Sequence, residues 1–538
     1  MEKRVLIAMV LCGAALLLYT KFFYHPQAPT PNPTPVASTP ESVPSTQPSS
    51  MPSQAAETIP SSAAPQAPQV TNFLENPQVK TELSSAPGLP EHWWLKNYFM
   101  EAGKKGPNVD LLSLVGDKSP LRFELFPGQE PLKPFFSVLS QEARDIRYEA
   151  RVGSLRVQPT VHLEAENYTA QIKLLVENQG SEAKSVAPGL FLLSAQNPES
   201  SRGFLIFREA PNLKHPLYRL GNSVKRYDNV KKLGEFQEEA GDIAWAGIED
   251  RYFLRILLAR QVTSQNRVRY GIKQNEVFTS LSYPAESLAP GQNKSYEFTV
   301  YFGPKDPDLL NAFGGARLDE AIDYGWFGLV AKPILYLLKF FYRFLHNWGL
   351  AIIILTIFIK IILQPMTKKS MQSMKAMQQL QPQLQKIREK YKNDREKLNL
   401  ETMSLFRNHK VNPMGGCLPM VIQMPIYIAL YKVLYNATEL YHAPFFAFYK
   451  DLSAPDPYFI LPVLLGIFMV LQQKMSPNMG DPTQARMMML MPIMFSAFML
   501  FLPLGLVLYI FVNTLMTVVQ QYMYQKDISL LGLFRKKT

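Results

Sequence analysis

Thr356 and Lys360 lie four residues apart inside the apolar run Gly349–Leu363, which gives way to Gln364-Pro365-Met366-Thr367-Lys368-Lys369 and a strongly basic stretch. That spacing puts a hydroxyl and an ammonium on one face of a helix. An ionisable group at membrane depth is costly, so it marks a functional site by default. Uncharged polar groups recur in the later apolar segments: Gln423, then Gln472 and Gln473, then Asn513, Thr517 and Gln520 or Gln521 along one stripe of the last. If these faces converge, they enclose a wet, positively charged groove open to the cytoplasm. Two plainer readings stand beside this one. Lys360 is about 7 to 8 Å of helix from Pro365, within snorkelling reach of the headgroups, and Thr and Gln also serve simply to bond neighbouring helices.

Other chemistry finds no support. The sequence has no GxxxxGK phosphate loop and no GxSxG elbow, and Gly415-Gly416-Cys417 lacks the lysine and spacing of a nucleotide site. Its two cysteines, Cys12 and Cys417, fall in or beside apolar segments, and its seven histidines show no zinc-ligand spacing. We therefore expect no metal and no cofactor, and read Cys417 as a small packed residue. The apolar segments from Gly349 onward carry no Asp or Glu, which argues against ion-driven transport. Methionine runs such as Met487-Met488-Met489 suit varied apolar partners, and also ordinary cores.

The elements that must position these groups follow from composition. The 538-residue chain has net charge +12, and its mean hydropathy of -0.07 averages a very apolar C-terminal part with a polar middle. Residues 1–24, with Lys3-Arg4 before an apolar stretch, read as an uncleaved transmembrane anchor. Residues 25–70, rich in Pro, Ser, Thr, Gln and Ala, read as a disordered linker. Short alternating runs between turn residues over 71–320 predict an antiparallel β-sandwich domain on the periplasmic side. Residues 326–348, with tryptophans at both ends and Lys332, Lys339, Arg343 and His346 along one face, predict an interfacial amphipathic helix.

Five further apolar segments, a second span at 349–365 and spans three to six within 416–523, bring the expected total to six spans. Between them, 366–415 is expected to form a cytoplasmic helical hairpin, with Pro382 breaking or restarting its first helix. Residues 524–538 form a basic tail. The basic loops flank the apolar segments on one side, so both termini are expected in the cytoplasm, with anionic lipid as the neighbour and no specific nucleic-acid sequence recognition.

Particular motifs then carry a resemblance. Asn412-Pro413-Met414-Gly415-Gly416-Cys417-Leu418-Pro419, followed by Gln423-Met424-Pro425-Ile426, resembles the third-span signature of the YidC/Oxa1/Alb3 membrane protein insertases. Asp451-Leu452-Ser453, Asp456-Pro457-Tyr458, Gln473-Lys474-Met475-Ser476-Pro477 and Pro503-Leu504-Gly505-Leu506-Val507-Leu508-Tyr509 resemble that family's later segments. Ala246-Gly247-Ile248-Glu249-Asp250-Arg251-Tyr252-Phe253 and Phe302-Gly303-Pro304-Lys305 resemble its periplasmic sandwich. The resemblance implies a polytopic α-helical protein of the bacterial inner membrane, with five of six spans forming an insertase core.

It further implies a non-enzymatic insertase and chaperone acting on nascent membrane proteins, alone or beside the Sec translocon with its SecD and SecF accessory proteins, and a cytoplasmic face that receives the ribosome. Lys360 takes the position of the family's groove charge, Thr356 that of the polar residue one turn earlier, and Gln423, Asn513 and Thr517 fall among the groove's polar groups. Tyr427, Leu465, Phe498 and Tyr509 fall where the family contacts a substrate helix. The usual groove cation is arginine, and lysine keeps the charge without the planar fork. Ile510, where an aromatic is common, is a smaller departure. Two other readings are a transporter or channel subunit, and a carbohydrate enzyme on a membrane anchor, since similar sandwiches occur in sugar epimerases.

Overall fold

The computed structural model describes residues 70–526 apart from 86–87, 104, 114, 117, 127–133, 197–202, 205–206, 209–212, 228–232, 393, 410, 412–417, 447 and 477–481. The expected anchor, the linker up to residue 69, Cys417 with its preceding motif, and the tail beyond Lys526 lie outside the described residues.

Alternation builds the first half. Leu155–Leu163 buries every second residue, Leu155, Val157, Val161 and Leu163 among them, as a strand with one face on a core must. It is one member of a nine-stranded antiparallel sheet whose order runs Ser223–Arg226, His215–Leu220, Ile243–Glu249, Phe253–Ala259, Asn293–Pro304, Thr169–Asn178, Leu155–Leu163, Asp145–Val152, Ser137–Gln141. A five-stranded sheet covers the part of it around Ile243–Glu249. The strand also meets the segment at Ala316 through Trp245, so it is buried throughout and reads as a continuous run instead of alternating. Its neighbour carries Arg255, which is buried with its guanidinium 2.7 Å from Asp250, a carboxylate that also accepts from the backbone of Tyr252 and Phe253. Buried Glu249 binds both Lys305 and Arg226. Each buried charge in this region thus meets its opposite, as desolvation demands.

The second half is helical. Helix α1 (Gly328–Leu345) buries Ala331, Ile334, Leu335 and Leu338, and exposes Leu329, Tyr336, Phe340 and Phe344 on another face. His346, in the left-handed region, ends it, and Asn347 caps α2 (Trp348–Lys390) by accepting from Leu350 N. At 1.5 Å per residue α2 is about 65 Å long, roughly twice the hydrocarbon thickness. It runs through both Pro365 and Pro382, so Pro382 does not break or restart the helix. Packing offsets the lost N–H: Met377, Leu380 and Leu384 on either side of Pro382 bury against Leu405 and Phe406 of α3 (Arg395–Asn408), which Asp394 caps.

Helices α4 (Leu418–Asn436), α5 (Ile460–Met475), α6 (Pro482–Met499) and α7 (Leu504–Gln525) follow. Of the described helices, α2 and α7 are long and apolar enough to cross a membrane, and α5 and Met488–Met499 are apolar but shorter. Ile460, Val463, Ile467 and Leu471 on α5, and Leu350, Ile354, Phe358, Ile361 and Ile362 on α2, are outward-facing. Apolar stripes of that extent are too large for a water-facing surface.

The turn between Ile243–Glu249 and Phe253–Ala259 docks onto the helices. Arg251 donates to the last-turn carbonyl of Tyr435 at 3.0 Å and lies over that residue's ring at 3.9 Å. Tyr441 packs among Tyr98, Tyr252 and Phe253. Lys339 of α1 holds Asp306, Asp308 and Glu439, each at 2.8 Å, so one ammonium joins the end of the β-rich domain, α1 and the α4–α5 connection. The basic stripe of the expected interfacial helix is therefore partly spent on protein carboxylates, Lys332 being 3.9 Å from Asp319 as well. Sequence spacing located the stripe but not its partners, which are distant in the chain.

Candidate functional site

Three helices present polar side chains at intervals of four: Thr356, Lys360 and Gln364 on α2, Gln423 and Tyr427 on α4, and Tyr509, Asn513 and Thr517 on α7. Such intervals align side chains on one helical face. The three faces meet as a ladder. Gln423 Nε2 donates to the Tyr509 hydroxyl at 2.9 Å. Asn513 Nδ2 donates to the Tyr427 hydroxyl, and the two tyrosine rings meet edge to face with centroids 5.6 Å apart. Lys360 Nζ donates to Thr517 Oγ1 at 2.7 Å, while the Thr517 hydroxyl donates to the Asn513 carbonyl at 2.7 Å. One turn further, Gln520 Nε2 donates to Gln364 Oε1 at 2.7 Å.

Polar groups flanked by apolar helices need such partners, since each one left unmade costs its full desolvation. Gln520 Oε1 is buried without a partner among the described residues. Below the ladder, Gln378 of α2 and Gln525 of α7 both donate to the Met475 carbonyl, at 2.9 and 2.8 Å, and Gln521 donates to Ser476 Oγ at 3.3 Å. Glutamines thus satisfy the C-terminal end of α5, whose last carbonyls have no partner within the helix.

Lys360 is 7% exposed, and none of the ion pairs among the described residues involves it. Its partner is a neutral hydroxyl. Thr356 shares its face but does not join the ladder, because its hydroxyl donates to the Ile352 carbonyl of its own helix at 2.6 Å. The four residues expected to touch a substrate helix separate. Tyr427 and Tyr509 are rungs, Leu465 is fully buried in the core, and Phe498 on α6 is 39% exposed away from the ladder. Gly466 lets α5 approach α6 there: Ser496 donates to the Pro462 carbonyl at 2.6 Å, and a Cβ on Gly466 would sit 2.7 Å from Ser496 Oγ.

Sequence reasoning passed over Gln364, although it stands four residues after Lys360, and over Lys432, which pairs with Asp323 at 3.4 Å. Among the described residues no group of three or more His, Cys, Asp or Glu side chains has metal-binding geometry.

Long apolar helices joined by an internal polar ladder define a membrane-embedded helical protein that carries a large β-rich domain. Residues 340–530 match the family model described as 60Kd inner membrane protein, and residues 73–337 match that of the YidC periplasmic domain. The membrane protein insertase YidC of Geobacter sulfurreducens is 36% identical, covering 98% of this chain and 99% of that protein. Its counterpart from Geotalea daltonii is 37% identical over 98% and 100%. A solved structure of an active YidC insertase with its first transmembrane domain resolved shares 18% identity, covers 84% of this chain and 92% of that one, and superposes with a TM-score of 0.38. The chain belongs to the YidC membrane protein insertase family.

Proposed function

We propose that this insertase receives polar or acidic segments of nascent membrane proteins at the Lys360 ladder and releases their apolar helices sideways into lipid. The observation that carries this reading is the Lys360 ammonium, buried among apolar helices and bound to a hydroxyl instead of a carboxylate. A carboxylate entering lipid loses its hydration, and a fixed cation within a few ångström offsets part of that loss. Burial of the following apolar helix then supplies the free energy, about 25 cal/mol per Å² of apolar surface. No covalent step and no nucleotide are needed.

In this arrangement six spans cross the bacterial inner membrane, five of them forming the core. The termini, the α2–α3 hairpin (366–415) and the basic tail (524–538) face the cytoplasm, where a ribosome delivers the chain. The β-rich domain (71–320) is periplasmic, the anchor (1–24) and linker (25–70) tether it, and α1 lies in the interface. The Sec translocon, with SecD and SecF, is the partner for larger clients. Tyr427 and Tyr509 line the path beside Gln423, Asn513 and Thr517, Phe498 is an exposed contact on α6, and buried Leu465 and Thr356 support the wall from within.

The test is depletion and complementation, scored by insertion of a small client. Lys360→Arg keeps the cation and is expected to retain insertion. Lys360→Ala is expected to lower insertion of clients with acidic translocated segments by about tenfold, the size of one hydrogen bond to a charged group. Full activity of Lys360→Ala on every client would refute the role of this charge.

A further inference from the structure

Several buried cations elsewhere are matched by carboxylates, Arg255 by Asp250, Lys305 by Glu249, Arg269 by Glu124, Arg219 by Glu320, and the half-buried Lys339 by three at once, whereas Lys214 donates to the Ser194 hydroxyl in the β-rich domain. Lys360 differs from the matched cations in lying within an apolar segment and meeting a hydroxyl. No Asp or Glu occurs in the five apolar segments from Gly349 onward, and its ammonium reaches across from α2 to α7 to a hydroxyl. Geometry keeps that hydroxyl an acceptor. Thr517 gives its own proton to the Asn513 carbonyl one turn back, so its lone pairs are left to face the ammonium. Asn513 is held in turn by its side-chain bond to Tyr427.

An ammonium carries three N–H donors, and this bond uses one. A lysine stem is flexible, and without a partner at this depth it would swing to the cytoplasmic headgroups.

We propose that Thr517 is the positioning residue of the insertase groove: it retains the Lys360 ammonium inside the ladder while leaving its charge uncompensated for an incoming carboxylate. This rests on the groove reading above. The device selects by chemistry, since a client carboxylate displaces a neutral acceptor, and a segment without negative charge gains nothing by doing so.

The test uses the full chain in proteoliposomes of phosphatidylethanolamine and phosphatidylglycerol, with a single-span client whose translocated tail carries two aspartates and a matched client carrying asparagines. Thr517→Val keeps the shape and removes the acceptor. It is expected to lower insertion of the aspartate client by about tenfold and of the asparagine client by less than about twofold. Thr517→Ser restores the acceptor and is expected to recover the aspartate client. Lys360→Ala with Thr517→Val should be no worse than Lys360→Ala alone, because both remove one interaction.

Equal losses for the two clients would show a merely structural threonine and overturn the proposal. So would normal insertion by Thr517→Val where Lys360→Ala fails, an outcome that leaves the groove reading intact. Normal insertion of both clients by Lys360→Ala overturns the groove reading itself, and this proposal with it.

Discussion

Replacing Lys339 by Met should destabilise the junction between the β-rich domain and the helices, in a way that depends on pH. The ammonium is 22% exposed and 2.8 Å from each of Asp306, Asp308 and Glu439, whose side chains are 26%, 75% and 12% exposed. Asp308 stands in water, so its share is that of a surface pair, about 0 to 1 kcal/mol. Glu439 is different. Lys339 is its one ion-pair partner among the described residues, and removing the partner of a buried charge costs about 3 to 5 kcal/mol. Because Lys339 retains some solvent, we expect a total near the lower limit, about 3 kcal/mol.

Burial already raises the Glu439 carboxyl above its ordinary value, with Lys339 opposing that rise. Without the ammonium the carboxyl should rise further. A group whose folded pKa is raised stabilises the fold at low pH and loses that contribution as pH climbs through the folded value. The Lys339→Met deficit should therefore be largest near neutrality and shrink as the medium is acidified toward pH ~5. Lys339 itself is pulled down by burial but held higher than an ordinary lysine by Glu439, Asp306 and Asp308, so its own contribution is complete at neutral pH and lost only in strong alkali. Thermal unfolding in detergent at several pH values reads the effect, and Glu439→Gln added to Lys339→Met should recover part of it. A Lys339→Met protein as stable as the parent, or a deficit that ignores pH and is not relieved by Glu439→Gln, would refute the reasoning.

Lys214, whose amino group donates to Ser194 Oγ at 2.8 Å, is pushed down to about 7 by burial and by Arg255, with Asp250 opposing. Between that value and the ordinary lysine value the unfolded chain holds a proton that the folded chain lacks, so stability should rise with pH by up to about 1.4 kcal/mol per unit. Urea midpoints measured from neutral to mildly alkaline pH should show that slope in the parent and a flatter one in Lys214→Met. Gly349 opens α2 against Phe445, and a Cβ there would lie 1.9 Å from Phe445 Cδ2. Gly349→Ala should cost about 1 to 3 kcal/mol of overpacking, visible as a lowered unfolding midpoint that Phe445→Leu partly restores.

Some of this was legible in the chain and some was not, for identifiable reasons. Leu155–Leu163 announces a strand because alternation is local. Ile243–Glu249 does not alternate, since the five-stranded sheet packs on it and Trp245 also meets the segment at Ala316, and its burial follows only from the fold. Thr356 and Lys360 share a face by spacing alone, yet their fates differ. A threonine in a helix has a carbonyl four residues back always within reach, and Thr356 takes it. Lys360 extends past its own helix, so its partner depends on how α2 and α7 cross, which packing decides. Pro382 signals a break in isolation, and contact with Leu405 and Phe406 overrides the signal. Lys339 belongs to a visible basic stripe, but its three carboxylates lie in two distant segments.

Lys339 and Lys360 show how one side chain serves opposite ends. An incoming carboxylate at Lys339 would have to displace a carboxylate already seated, exchanging one ion pair for another of the same kind, with little net gain. At Lys360 it would displace a hydroxyl. The ammonium–hydroxyl bond has one charged partner, and a carboxylate adds the Coulomb attraction of a second, so on the groove reading this exchange runs downhill. The same difference limits how long the segment stays. An ammonium that has a hydroxyl to return to is never left without a partner, so releasing the client does not strand a bare charge in lipid. A carboxylate at position 517 would forfeit the first advantage, and an aliphatic residue the second. On the groove reading proposed above, the neutral acceptor permits both capture and release.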